Sequence, residues 1–145
     1  MLAVPANRLD DQLISALRTG VLRLSRRLRL ELGGDLTLTQ MSVLGTVSRE
    51  GPLTIGELAN HEHVKPPSAT RTVTSLEGAG LVARSSSDDD GRQVLVTITD
   101  AGSELLAGIR RRRDAWLRDH LDQLSDDERQ VLEAAAPLLD RLAQS

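Results

Sequence analysis

The sequence predicts a mainly α protein with one small β-hairpin. Apolar residues recur at three- and four-residue steps over much of the chain, and strict two-residue alternation stands out once, at Val94, Val96 and Ile98. Trp116 is the single Phe, Tyr or Trp residue. The core is therefore built from Leu, Val, Ile and Ala, which suits packed helices.

From Leu9 onward, Leu13, Leu17, Val21, Leu24, Leu28 and Leu32 follow at steps of four, four, four, three, four and four. That spacing is one long helical stripe, ended by Gly33 and Gly34. Its other faces carry Arg18, Arg23, Arg26, Arg27 and Arg29. The stripe is longer than a small neighbouring lobe can cover, which predicts an obligate dimer.

Three short helices come next. Thr39 precedes Q-M-S-V-L-G-T-V, in which Met41, Leu44 and Val47 have helical spacing, and Gly51-Pro52 stops the run. Thr54-Ile-Gly-Glu57 reads as a capping box, hydroxyl and carboxylate each satisfying a backbone N–H, for a helix reaching His61. Lys65-Pro66-Pro67 opens the third, because proline drives the residue before it out of the helical conformation and is welcome in a first turn. Gly78-Ala-Gly80 ends it. Ala69, Val73 and Leu76 share its apolar face, with Pro67, Ser68, Arg71, Thr74 and Ser75 opposite.

Leu81 to Ser85 and Gln93 to Thr99 read as two strands. A helix from Thr99-Asp100 to His120 follows. The last helix opens with the capping box Ser125-Asp-Asp-Glu128, carries Val131, Leu132, Ala135, Leu138, Leu139 and Leu142, and should bend at Pro137.

The 145 residues fit a single domain, 1–145, and 39% hydrophobic residues suffice for a core. The absence of cysteine removes disulfides, thiolate zinc sites and cysteine redox sensing. No apolar run approaches the roughly 20 residues that cross a bilayer. The N-terminus M-L-A-V-P-A-N-R-L-D-D lacks the basic-then-apolar order of a signal peptide, so a cytoplasmic protein without a membrane partner is expected. Net charge is −3, so nucleic-acid binding must come from local patches, and a module that binds protein instead is the competing reading. No nucleophile and base form a readable motif; neither an enzyme nor a cofactor is expected.

A long helix, three short helices, a hairpin and two helices put the order of a winged helix-turn-helix in the middle of the chain. Four strings go further: L-A-x-x-x-x-V from Leu58, P-S-A-T-R from Pro67, L-E-x-x-G-L-V-x-R from Leu76 to Arg84, and D-x-R-x-x-x-V-x-I-T-x-x-G from Asp90 to Gly102. In these the chain resembles the MarR family, the multiple-antibiotic-resistance type of bacterial transcriptional regulator. The resemblance implies a winged helix-turn-helix lobe at about residues 37–99, flanked by N- and C-terminal dimerisation helices at about 7–34 and 100–145. It implies a homodimer gripping double-stranded DNA at a pseudo-palindromic operator, read as a repressor. It also implies release by a small aromatic or anionic effector bound between the dimerisation region and the lobe. The chain departs from the family pattern at Glu62 and Thr72, where apolar residues are usual, and at Lys65, where a Ser or Thr cap is usual.

The stretch S-S-S-D-D-D-G-R invites a calcium reading, with Ser86, Asp88 and Asp90 at alternate positions before Gly91. Thr97 stands where the bidentate glutamate is needed, so no metal is expected. Asp90-Gly91 suits a hairpin turn. The preferred reading is a wing whose Arg92 enters the DNA minor groove, where narrowed A·T tracts strengthen the negative potential. By the resemblance, Asp90 holds Arg92 in place; Asp88 and Asp89 then face water or limit non-specific binding.

On the helix from Pro67, the short or forked donors Ser68, Thr70, Arg71 and Thr74 can approach phosphates and base edges. Arg71 is the candidate for a guanine or phosphate contact and Lys65 for a phosphate. Pro67 and Arg84 complete the expected DNA-binding set. His61 and His63 are two apart, a spacing that points them to opposite sides of a helix, and are expected at the surface or in a ligand pocket. Arg110 to Arg113 fan over roughly 300°. They are expected to be solvated or paired with Glu104, Asp114 and Asp119, with Arg113 also placed to stack on Trp116.

Overall fold

The computed structural model describes residues 6–30, 34–86 and 93–145, with side chains in the first segment from Asp10 to Arg29. Leu32, Asp88, Asp89, Asp90 and Arg92 lie outside the described residues. The elements run α1 (Ala6–Leu30), α2 (Leu38–Glu50), β1 (Leu53–Thr54), α3 (Ile55–Glu62), α4 (Pro66–Gly78), β2 (Val82–Ser86), β3 (Val94–Ile98), α5 (Asp100–Leu121) and α6 (Asp126–Ala143). They fall into two compact units, Met1–Ile109 and Arg110–Ser145.

In the first unit α2, α3 and α4 close over a small sheet. Val43, Leu44 and Val47 of α2, Leu58 of α3, and Val73 and Leu76 of α4 meet Leu53, Val82 and Val96 in one cluster. Fully burying side chains of this size contributes about 1.5–3 kcal/mol each, and helices of only 8 and 13 residues need that packing to persist. The sheet order is β1-β3-β2, both pairings antiparallel. Val96 on the central strand faces Leu53 on one side and Arg84 on the other.

Three expectations change here. The sheet has a third strand, β1, whose two residues carry no periodicity of their own and exist as a strand only by pairing with Val96 and Leu95. α2 begins after Thr37 rather than Thr39. Thr37 Oγ1 accepts the Gln40 N–H at 3.1 Å while Gln40 Oε1 accepts the Thr37 N–H at 2.9 Å, a reciprocal cap that Thr39, with Ser42 three residues on, cannot form. At Thr54 only half of the expected box is present: its hydroxyl accepts the Glu57 N–H at 3.1 Å.

The junction between β3 and α5 explains the run Ile98-Thr99-x-x-Gly102. Thr99 Oγ1 donates to Gly80 O at 2.6 Å and accepts the Gly102 N–H at 3.1 Å. A Cβ on Gly102 would lie 2.2 Å from Leu81 O, so only glycine lets the start of α5 pass this close to the chain entering β2. Gly80, with φ +77, makes the turn between α4 and that strand.

No side chain of α1 from Asp10 to Arg29 is buried; Leu13 is 63% exposed, and Leu17, Val21 and Leu24 are exposed with it. In the second unit α6 likewise buries nothing, and Leu142 is 61% exposed. The α6 start is a complete capping box: Ser125 Oγ accepts the Glu128 N–H and Glu128 Oε1 accepts the Ser125 N–H, at 3.1 and 3.0 Å. The bond from the Ser125 backbone, then that from its hydroxyl, holds the Glu128 carboxyl below its usual range. This cap therefore stabilises α6 above the ordinary carboxylate pKa and is lost as pH falls through the lowered one. The helix runs through Pro137 to Ala143.

Candidate nucleic-acid interface

Three residues, His63, Val64 and Lys65, turn the chain from α3 into α4. His63 adopts φ 55 and ψ 40, the left-handed conformation. Its N–H donates to Asn60 O at 3.3 Å and the Val64 N–H to Ala59 O at 3.0 Å. These two bonds make a Schellman motif, with histidine where glycine is usual, at a conformational cost of roughly 1–2 kcal/mol. His61 and His63 line an open depression of about 340 Å³ with Asn60.

α4 starts on Pro66 and Pro67, and the Lys65 carbonyl accepts the N–H groups of Ser68 and Ala69 at 3.0 and 3.3 Å. Lys65 occupies the cap position, where its donor-only ammonium can accept no helix N–H, and it is exposed to solvent. Burial of Ala69, Val73 and Leu76 fixes the rotation of the helix. Pro67, Thr70, Arg71, Thr74 and Ser75 are consequently exposed, and Ser68 is half-buried.

Neighbouring elements hold this face from both sides. Arg84 Nη2, on β2, donates to Thr74 Oγ1 at 2.8 Å, and Gln40 Nε2, on α2, donates to Ser75 Oγ at 2.8 Å. Within α4, Arg71 Nη2 donates to Ser68 Oγ at 3.3 Å. Ser68, Arg71, Thr74 and Arg84 thus form one polar surface, with Lys65, Pro67 and Thr70 toward the start of the helix. Asp90 and Arg92, the expected wing contacts, lie outside the described residues. Sequence reasoning missed Gln40. The T-x-x-Q cap was its visible signal, but its contact with Ser75, 35 residues away, had none.

Glu62 joins α3 to α2, its Oε1 accepting the Thr46 hydroxyl at 2.6 Å and its Oε2 the Ser42 hydroxyl at 2.7 Å. Arg49 Nη2 adds a 3.4 Å bond to Thr46 Oγ1. Thr72, the other polar departure, donates its hydroxyl back to Ser68 O at 3.2 Å. Both polar side chains are satisfied, Glu62 across to α2 and Thr72 within its own helix.

A family model described as the MarR family matches residues 36–94. An HTH-type transcriptional regulator of Mycobacterium tuberculosis is 44% identical over 131 residues, 90% of this chain and 92% of the relative. The chain belongs to the MarR family. A Pseudomonas aeruginosa protein solved as a crystal structure superposes with TM-score 0.87 at 37% identity, over 97% of this chain and 99% of the other. A MarR family protein from Bacillus stearothermophilus gives 0.81 at 27%, over 96% and 98%. The Bacillus subtilis transcriptional repressor MdtR is 29% identical over 144 residues, covering 93% of this chain and 88% of its own. A Staphylococcus aureus MepR mutant bound to an oligodeoxyribonucleotide, at 21% identity, TM-score 0.69 and coverage of 90% and 95%, shares the fold.

This MarR-family chain is an HTH-type transcriptional regulator, not an enzyme. The MarR string L-E-x-x-G-L-V-x-R now has a physical reading. Leu76, Leu81 and Val82 are core, Gly80 is the left-handed turn, and Arg84 reaches back to α4.

In the second unit Trp116 stacks on His120, with ring centroids 3.8 Å apart, and His120 Nδ1 lies 2.7 Å from Trp116 O. Arg110, Arg111 and Arg112 are exposed and Arg113 is half-buried, with its Nε lacking a hydrogen-bond partner. Arg129 pairs with Asp122 and Asp126, while Arg110, Arg111 and Arg112 take the solvated alternative.

Proposed function

We propose that this regulator is a homodimeric repressor that sets α4 into the major groove of a pseudo-palindromic operator in the cytoplasm. The observation that carries the reading is the division of α4 itself. One face is locked into the core by Ala69, Val73 and Leu76, and the other offers Arg71, Thr74, Thr70 and Ser68 to a ligand. Arg71 is the forked donor suited to guanine O6 and N7; Lys65, exposed at the start of the helix, suits phosphate. In this proposal Arg92 enters the adjacent minor groove and Asp90 aims it, and Pro67 shapes the first turn of α4. The name of the B. subtilis repressor and the DNA-bound S. aureus relative support the direction of control and the partner.

The apolar stripes left exposed on α1 and α6 support a dimer, since contiguous apolar surfaces of this kind mark partner sites. Relief by a small aromatic or anionic effector belongs to the same reading and rests on the family resemblance alone. Electrophoretic shift of DNA flanking the protein's own gene tests the function, with sedimentation at micromolar concentration alongside. Retarded DNA and a dimer are expected; a folded monomer that shifts no duplex overturns the reading.

A further inference from the structure

Hydroxyls on the exposed face of α4 are chemically ambivalent, each with one proton and two lone pairs. Their surroundings remove the ambivalence. Thr74 Oγ1 accepts from Arg84 Nη2 and Ser75 Oγ accepts from Gln40 Nε2, both at 2.8 Å. An incoming N–H occupies a lone pair, so the hydroxyl proton points elsewhere, and a guanidinium beside the oxygen strengthens that proton as a donor. The orientation of the Gln40 amide follows from its other end. Oε1 accepts the Thr37 N–H at 2.9 Å, a group that can only donate, so the NH₂ must face Ser75. Thr72 shows the alternative fate: half-buried, it spends its proton on Ser68 O. Among the described residues no acceptor takes the proton of Thr74 or Ser75, and both are exposed.

We infer that Arg84 and Gln40 are positioning residues that fix the hydroxyls of Thr74 and Ser75 as donors, so that this face of α4 selects hydrogen-bond acceptors on duplex DNA. The inference rests on α4 being the DNA-reading helix. Acceptors in the major groove are guanine N7 and O6, adenine N7 and thymine O4, whereas the amino groups of cytosine and adenine are donors. Phosphate oxygens are acceptors too. Donors at Thr74 and Ser75, projecting about 100° apart on the helix, therefore favour edges that present acceptors, such as guanine N7 and O6, and disfavour the amino edge of cytosine.

The test begins with wild-type protein and a pool of duplexes carrying a randomised central segment, the bound fraction being sequenced. The best duplex and its 7-deazaguanine forms are then titrated by fluorescence anisotropy. Gln40→Glu keeps the α2 cap, because a carboxylate also accepts the Thr37 N–H. It can only accept from Ser75, however, and so turns that proton inward. A loss of roughly 5- to 150-fold is expected, shrinking to the effect of the added charge when Ser75→Ala is already present. Arg84→Met and Thr74→Val should each weaken binding, the pair together no more than the stronger one, with Arg84→Lys restoring part of the affinity. A penalty confined to one 7-deazaguanine position marks a base acceptor, and a uniform loss across duplexes marks phosphate; each supports the inference. Wild-type binding by Gln40→Glu, or additive losses in both pairs at unchanged melting temperature, overturns it. If wild-type protein enriches no duplex, the DNA-reading role of α4 falls as well.

Discussion

Glu62 on α3 accepts the hydroxyl of Thr46 on α2 at 2.6 Å, and Thr46 is only 5% exposed. A carboxylate thus stands in a position suited to an apolar side chain because hydroxyls on the facing helix satisfy it. Glu62→Ala should cost about 1.5–3 kcal/mol, the range for hydrogen bonds to a charged group. Combining Glu62→Leu with Thr46→Val should cost less than the two separately, since both partners then become apolar together. Urea unfolding of the four proteins measures this; strict additivity would deny the coupling.

Two glycines should respond in opposite directions. Gly102→Ala drives a methyl into Leu81 O and should destabilise the fold by roughly 1–3 kcal/mol or more. Gly78→Ala meets nothing within 4 Å in the last turn of α4 and should stabilise by about 0.5–1 kcal/mol. Denaturant midpoints at equal slope report both, and a neutral Gly102→Ala would mean that α5 shifts freely at its start.

His63→Gly should raise the unfolding midpoint. Relief of the left-handed strain outweighs the extra chain entropy of glycine, leaving a gain of up to ~1 kcal/mol. A lower midpoint would show that the imidazole makes a stabilising contact at the depression it shares with Asn60.

Arg71→Ala should weaken operator binding by roughly 1–3 kcal/mol if it reads a base, and evenly across sequences if it touches phosphate alone. At the wing, Arg92→Ala should flatten the preference for A·T flanks. Asp90→Ala should weaken binding through lost aiming, while Asp88→Asn and Asp89→Asn should tighten non-specific binding by lifting repulsion from phosphates. Anisotropy at two salt concentrations separates them. If neutralising Asp90 tightens binding as much as its neighbours do, the aiming role is wrong.

Much of the molecule was legible along the chain because its signals are local. Helix caps at Ser125 and Thr54, prolines at the start of α4, and the apolar periods of α1 and α6 each act within a few residues, and the elements appear where those signals stand. The face of α4 was legible for the same reason: Ala69, Val73 and Leu76 recur with the helical period, so Pro67, Arg71, Thr74 and Ser75 had to face outward.

Tertiary packing decided the rest. Leu53 and Thr54 become a strand only beside β3, because two residues hold no period that a sequence can display. Glu62 against Ser42 and Thr46, Gln40 against Ser75, and Arg84 against Thr74 join residues 10 to 35 positions apart. A polar side chain announces its need for a partner, but the partner is chosen by how the buried faces seat one helix on another. By itself the sequence determined which helices form and which side of α4 is free. Only the packed lobe determined which groups brace that side, since hydrogen bonds across elements depend on distances that the core sets.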